Sequence, residues 1–109
     1  MYKDIDIKES IKLIEENKDL LILDVRTDEE YEFDGYIKNA KLIPLGKLLF
    51  SLDELYGYEE SPILVYCRRG SRSMQACEIL EDNGFENLYN MMGGFSKLVN
   101  EGPKELWTK

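Results

Sequence analysis

The chain has 109 residues, of which 43% are hydrophobic and 33% charged, a composition typical of one globular domain over residues 1–109. Its formal net charge of −8 argues against a general nucleic-acid binder, because affinity for phosphate chains requires clustered basic charge. No apolar run is long enough to span a membrane, and the first residues lack a signal-peptide pattern. We therefore expect a cytoplasmic protein with no nucleic-acid or membrane partner.

The residue types that are missing exclude several kinds of chemistry. The chain contains no histidine and only two cysteines, Cys67 and Cys77. Ser-His-Asp and Cys-His catalysis is therefore excluded, as are metal sites built on histidine or on cysteine alone. We predict no metal ion and no cofactor. A nucleophilic cysteine in this chain must be activated by its electrostatic surroundings.

The first half of the chain predicts, in order, a helix, a strand, a short helix, a second strand and another short helix. Their expected bounds are about 7–17, 20–25, 27–33, 40–43 and 45–50. The first two helices begin at patterns typical of a capping box, Asp6 with Glu9 and Thr27 with Glu30. The first strand is apolar except for Asp24, as expected of a strand buried on both faces.

The second half predicts a strand, a loop, a helix, a last strand, a glycine turn and a closing helix. The expected bounds are about 63–66, 67–73, 74–83, 87–91, 93–94 and 95–100. Strands that alternate with helices imply an α/β fold, with a parallel sheet covered on both faces. Ligands of such folds bind beyond the carboxyl ends of the strands, and Cys67 directly follows one of these ends.

The most informative segment is the loop that opens on this cysteine, Cys67-Arg68-Arg69-Gly70-Ser71-Arg72-Ser73. A loop between a strand and a helix N-terminus presents several backbone N–H groups to one point, where the helix dipole adds positive potential. Three arginines strengthen that potential on an otherwise acidic chain. We therefore predict that Cys67 is a thiolate of lowered pKa in a cradle for a small anion.

Other residues near this loop allow a structural reading beside the functional one. The Arg68 and Arg69 side chains either bind the anion or point to solvent, and Arg72 either binds it or pairs with a carboxylate such as Asp24. Asp24 and Arg26 fit a polar pair that holds the fold better than catalytic groups. Cys77 lies on an apolar helix stripe with Ala76 and Leu80, which favours packing in the core.

In this order the motifs resemble the rhodanese family of sulfurtransferases over nearly the full length of the chain. The segments that carry the resemblance are Leu23-Asp24-Val25-Arg26, Glu30-Tyr31, Gly35-Tyr36-Ile37, Ala40, Ile43-Pro44, the cysteine loop and Gly93-Gly94. Three positions depart from the family pattern. Tyr36 stands where many members have histidine, Asn39 where many have glycine, and Leu98 where a tryptophan is common.

The resemblance implies a three-layer α/β/α fold with a five-stranded parallel central sheet, and a cysteine persulfide mechanism. Cys67 would take the sulfane sulfur of a small anionic donor such as thiosulfate and pass it to cyanide or a thiol, protein thiols included. The substrate-binding residues would be the rest of the loop, Arg68, Arg69, Gly70, Ser71, Arg72 and Ser73, because the donor and the leaving sulfite are both anions.

Two other functions share these residues. A non-enzymatic persulfide carrier or partner-binding module in a sulfur relay would have the same loop. A phosphatase or arsenate reductase also has a cysteine loop that ends in arginine, but the dual-specificity phosphatases of this fold have five residues between the two. Cys67 and Arg72 enclose four, and we expect the smaller ring of amides to fit phosphate poorly.

Overall fold

A computed structural model describes residues 1–109 as an α/β fold of seven strands and five α-helices. The strands are β1 Lys3–Ile5, β2 Leu21–Asp24, β3 Tyr36–Ile37, β4 Lys41–Leu42, β5 Ile63–Tyr66, β6 Leu88–Met91 and β7 Trp107–Thr108. The helices are α1 Ile7–Glu16, α2 Asp28–Asp34, α3 Leu45–Leu48, α4 Ser71–Asp82 and α5 Gly94–Glu101. Short 3₁₀ helices span Leu52–Leu55 and Lys104–Leu106. None of the helices combines the length and apolar character needed to cross a membrane.

Five strands form one sheet in the order β1-β6-β5-β2-β4, and every neighbouring pair is parallel. The predicted α/β fold with a five-stranded parallel sheet is therefore confirmed. β5 is the central strand, and all four of its residues are buried. Because the strands are parallel, their carboxyl ends meet at one edge of the sheet, and Cys67 follows β5 at that edge.

The sheet is covered on both faces, which gives two hydrophobic cores. One contains β5 residues Ile63 and Val65 and the inner side of α3 and α4. The other contains Leu64 and Tyr66 of the same strand and the inner side of α1 and α5. Alternate β5 residues thus point into opposite cores, as the two-residue period of a strand requires.

The predicted helix starts have physical counterparts. The Asp6 side chain accepts a hydrogen bond from the Glu9 N–H at 2.8 Å, and the Asp6 carboxylate caps α1. At α2 the full reciprocal pair forms, because Thr27 Oγ1 accepts from the Glu30 N–H while Glu30 Oε1 accepts from the Thr27 N–H. These caps satisfy N–H groups that a helix start otherwise leaves unpaired.

The structure also differs from the sequence prediction at several elements. α4 begins at Ser71 rather than at residue 74, so Ser71, Arg72 and Ser73 belong to the helix instead of the loop. Gly94 is the first residue of α5 rather than part of a turn. Strand β1 was not predicted, nor was the antiparallel pair of β3 with β7, in which Tyr36 lies opposite Thr108.

Candidate active site

Cys67 is the point on which the loop between β5 and α4 converges. Its Sγ accepts a hydrogen bond from the Gly70 N–H at 3.0 Å and from the Ser73 N–H at 3.4 Å. The Ser73 hydroxyl lies 3.4 Å from the same sulfur and 3.0 Å from the Gly70 carbonyl oxygen, so it can donate to either. The predicted convergence of backbone N–H groups on the sulfur is confirmed, and Gly70 and Ser73 supply two of them.

A glycine in the left-handed backbone conformation allows these N–H groups to converge on the sulfur. Gly70 has φ 115°, a conformation that L side chains rarely adopt, and it is the N-cap of α4. A Cβ at Gly70 would also meet the backbone N of Gly93 at 3.5 Å, because the loop lies against the segment that follows β6. Glycine therefore allows the chain to reverse within four residues and turn its own N–H toward the Cys67 sulfur.

The electrostatic result is a lowered pKa for the Cys67 thiol. Burial alone would raise this pKa, but the hydrogen bonds from Ser73, Gly70 and, last, the Arg69 backbone N–H outweigh burial. The predicted direction is therefore confirmed, and so is the predicted role of the loop N–H groups. The Ser73 side chain is a further contributor that the sequence prediction did not name.

The three arginines of the loop have different surroundings. Arg68 and Arg69 are exposed and form no ion pair. Arg72 forms a bidentate pair with Glu30 of α2, with N···O distances of 2.6 and 2.8 Å. The alternative in which Arg72 pairs with a carboxylate is therefore confirmed, but the partner is Glu30 and not Asp24, the example that the sequence suggested. Glu30 follows β2 by six residues and reaches the first turn of α4 only in the folded chain.

This ion pair has a marked effect on Glu30. The hydrogen bond from Arg72 is the largest influence, and it holds the pKa of the Glu30 carboxyl at about 2. The Arg72 side chain retains 32% exposure. Arg72 thus fixes α2 against the start of α4, while Arg68 and Arg69 carry the positive charge that is free to meet an anion.

Beneath the loop, the Asp24–Arg26 pair is confirmed as a polar pair that holds the fold. Both side chains are fully buried, and Arg26 Nη2 donates to Asp24 Oδ2 at 2.8 Å and to the Gly35 carbonyl at 2.7 Å. Sequence reasoning missed the third member, Tyr66, whose hydroxyl donates to Asp24 Oδ2 at 2.7 Å. That hydrogen bond anchors the residue that directly precedes Cys67. A tyrosine within an apolar strand is the signal that would have found it, since a buried hydroxyl needs a partner.

The N-terminus of α5 supports the loop from its other side. The Phe95 N–H donates to the Cys67 carbonyl at 2.9 Å, and the Ser96 N–H donates to the Arg68 carbonyl at 3.0 Å. Gly94 has φ 62°, and any Cβ at Gly94 would overlap the Arg68 carbonyl. The glycine pair at 93–94 thus permits α5 to start in direct contact with the cysteine loop.

Cys77 provides a contrast within the same core. It is fully buried on α4, and burial raises the pKa of its thiol to about 12. Both cysteines are free thiols. The prediction that Cys77 packs in the core is confirmed.

The chain matches known proteins over nearly its whole length. The model of the rhodanese-like domain matches residues 6–101. A thiosulfate sulfurtransferase GlpE of Coxiella burnetii is 35% identical over 95 residues, which cover 87% of this chain and 85% of that protein. A rhodanese-like domain protein of Staphylococcus aureus superposes with a TM-score of 0.79 at 36% identity, covering 98% of both chains.

One structural neighbour carries a different description. A protein of Rhodopseudomonas palustris, described as of unknown function and a possible tyrosine phosphatase, superposes with a TM-score of 0.82. It is 26% identical, and the alignment covers 94% of this chain and 83% of that one. The same backbone arrangement is thus associated with two different descriptions.

Proposed function

The chain belongs to the family of rhodanese-like domains, and on that premise we propose that it carries a sulfane sulfur on Cys67 as a persulfide and transfers it between a donor and an acceptor. The named relatives support sulfurtransferase activity as the general function. The observation that carries the finer proposal is the Cys67 sulfur itself, which is held by backbone N–H groups at a lowered pKa. A thiolate at neutral pH is the form that attacks sulfur.

The donor half of the reaction begins with attack by the Cys67 thiolate on the outer sulfur of thiosulfate. A bond forms between Sγ and that sulfur, and the bond from the outer sulfur to the sulfonate breaks. The electron pair leaves with sulfite, so the enzyme persulfide carries one negative charge and sulfite carries two. Loop N–H groups and the exposed Arg68 and Arg69 stabilise this anionic transition state.

The acceptor half returns Cys67 to its starting form. Cyanide or a thiolate attacks the outer sulfur of the persulfide, and the sulfur–sulfur bond breaks. Its electron pair returns to Cys67 Sγ, where the same hydrogen bonds that lower the thiol pKa make it a good leaving group. A persulfide carrier needs a free thiol, which a reducing compartment maintains, and we propose the cytoplasm as the site of action.

A phosphatase is the second candidate, because the Rhodopseudomonas palustris neighbour is described as a possible one. The hydrogen-bond geometry favours sulfur transfer. The Gly70 and Ser73 N–H groups donate to Sγ itself, which stabilises the thiolate that attacks sulfur. The loop also encloses only four residues between Cys67 and Arg72, and Arg72 is already bound to Glu30.

The deciding experiment offers thiosulfate and an aryl phosphate to the same preparation. We expect the mass of the intact protein to rise by one sulfur atom after thiosulfate, and cyanide or a thiol to remove that atom. Cys67→Ser should gain no sulfur, whereas the matched variant Cys77→Ala should gain it. Repeated turnover with excess donor and acceptor distinguishes an enzyme from a carrier that loads only once. Hydrolysis of the phosphate, with no persulfide from several sulfane donors, would overturn the assignment.

A further inference from the structure

The Glu30–Arg72 pair engages the carboxylate from two directions. Glu30 Oε1 accepts a hydrogen bond from Arg72 Nη1 at 2.6 Å, and Oε2 accepts one from Arg72 Nη2 at 2.8 Å. Oε1 also accepts from the Thr27 N–H at 3.0 Å, as part of the capping box of α2. The start of α2 therefore holds the carboxylate in place for a bidentate contact with the guanidinium.

The guanidinium in this pair lies at the cysteine loop. Arg72 is in the first turn of α4 and directly precedes Ser73, whose N–H donates to Cys67 Sγ. The hydrogen bond to Glu30 is the largest cause of the raised pKa of Arg72, and the negative charge of Cys67 contributes as well. The Arg72 charge is therefore close enough to Cys67 to act on an anion that is held there.

The ion pair divides the three arginines of the loop into two kinds. Arg68 and Arg69 are exposed and form no ion pair, whereas the charge of Arg72 is opposed by Glu30 at contact distance. The pKa of Glu30 is held at about 2, so the carboxylate is ionised at neutral pH. An anion that approaches the loop thus meets a weaker positive field than three unpaired arginines would create.

We infer that Glu30 is a specificity-determining residue, which masks the charge of Arg72 and so limits the preference of the Cys67 loop for doubly charged sulfur donors over singly charged ones. The inference rests on the proposed function, because it concerns the choice of sulfane donor. A dianion gains twice as much Coulomb energy from an added positive charge as a monoanion does at the same distance. Masking therefore allows an organic thiosulfonate, with one negative charge, to compete with thiosulfate, which has two.

Transfer from a thiosulfonate balances in the same way as transfer from thiosulfate. The Cys67 thiolate attacks the outer sulfur, and a bond from Sγ to that sulfur forms. The bond from the outer sulfur to the sulfonyl sulfur breaks, and its electron pair leaves with the sulfinate. The persulfide and the sulfinate carry one negative charge each, so no oxidant or reductant is consumed.

The masking can be tested without any sulfur transfer. Sulfate and methanesulfonate carry two and one negative charges and have no sulfane sulfur to give. Each is titrated at constant ionic strength against the alkylation of Cys67 by iodoacetamide in Cys77→Ala protein. Glu30→Gln keeps an oxygen for the capping box but removes the charge. The concentration that halves the alkylation rate should fall about fourfold for sulfate and about twofold for methanesulfonate.

Two further variants separate masking from other effects of the substitution. Glu29→Gln removes an exposed charge of the same helix that has no ion pair, and it should respond to both anions as the wild type does. Arg72→Gln, added to Glu30→Gln, removes the unmasked charge and should abolish the gain for sulfate over methanesulfonate, which a loosened loop would not do. Equal changes for the two anions, no protection by sulfate, or a gain that survives the loss of Arg72 would overturn the inference.

A kinetic test compares two donors on the same preparations. The ratio of kcat/KM for thiosulfate to kcat/KM for methanethiosulfonate should rise about twofold in Glu30→Gln and stay at the wild-type value in Glu29→Gln. An equal loss for both donors would mean that Glu30 only supports the fold, and would contradict the inference. If neither donor loads Cys67, the proposed function fails, and the sulfate titration still decides whether Glu30 masks Arg72.

Discussion

Cys67 and Cys77 belong to the same hydrophobic core and are almost equally buried, yet the pKa values of their thiols are shifted in opposite directions. Burial raises the pKa of both, and at Cys77 nothing opposes it. At Cys67 the hydrogen bonds from Ser73 and Gly70 exceed the cost of burial, and the pKa falls. The comparison teaches that the position of hydrogen-bond donors, rather than exposure, separates a reactive cysteine from an inert one in this fold.

The largest expected effect is a difference in the alkylation rates of the two thiols. At pH 7 we expect iodoacetamide to modify Cys67 at least about a hundredfold faster than Cys77, because only the thiolate reacts and the Cys77 pKa is about 12. The two rates are measured on Cys77→Ala and Cys67→Ser, each of which retains one thiol. As the pH falls, the Cys67 rate should decline only below the pKa of an ordinary thiol. Similar rates for the two thiols in the folded protein would remove the basis of the comparison.

A smaller effect is expected when one donor is removed from Cys67. Ser73→Ala deletes the hydroxyl that lies 3.4 Å from Sγ, so the pKa of Cys67 should rise. In consequence, the rate of alkylation should fall about tenfold at any pH below the midpoint of the curve of rate against pH. Ser71→Ala serves as the control, because Ser71 is exposed in the same helix turn and makes no hydrogen bond to the sulfur. If alkylation of Ser73→Ala and Ser71→Ala has the same pH midpoint, the Ser73 hydroxyl has no role in setting the pKa of Cys67.

The smallest effect on Cys67 is expected from the arginine pair. Glu30→Gln leaves the Arg72 charge without its partner, and the pH midpoint of Cys67 alkylation should move down by less than Ser73→Ala moves it up. A larger shift than that of Ser73→Ala would mean that charge, not hydrogen bonding, controls the thiol.

Glu30→Gln should also lower the thermodynamic stability of the folded protein. The free energy of unfolding should fall by about 1–2 kcal/mol at pH 7, since the pair is only partly exposed. The folded-state pKa of Glu30 is lowered to about 2, so this contribution is present above the ordinary carboxyl pKa and is lost as pH falls toward 2. Urea unfolding at pH 7 and pH 3, with Glu29→Gln as the control, should show the difference from wild type shrinking at the lower pH.

The sequence predicted the parts of the molecule whose signals are local. Both helix caps and the apolar strand before Cys67 are each encoded within a few residues, and each was found. The lowered pKa of Cys67 could also be predicted, because a loop between a strand and a helix start directs its N–H groups inward.

The features that escaped prediction depend on residues far apart in the chain. The bond from Arg72 to Glu30 joins positions 42 residues apart, and no local pattern favours Glu30 over Asp24. Strand β1 has three residues of which only Ile5 is buried, so it shows no alternation that could mark it. It forms because β6 offers a parallel partner, and the two-residue strands β3 and β7 form for the same kind of reason.

The contact between α5 and the cysteine loop has a consequence for the orientation of individual peptide planes. In a trans peptide the C=O and the N–H point in opposite directions. The Ser96 N–H holds the Arg68 carbonyl on the α5 side, so the Arg69 N–H of that same plane must face the other way, toward the Cys67 sulfur. Because the peptide plane is rigid, the hydrogen bond from α5 to the Arg68 carbonyl also fixes the direction in which the Arg69 N–H donates to the Cys67 thiol.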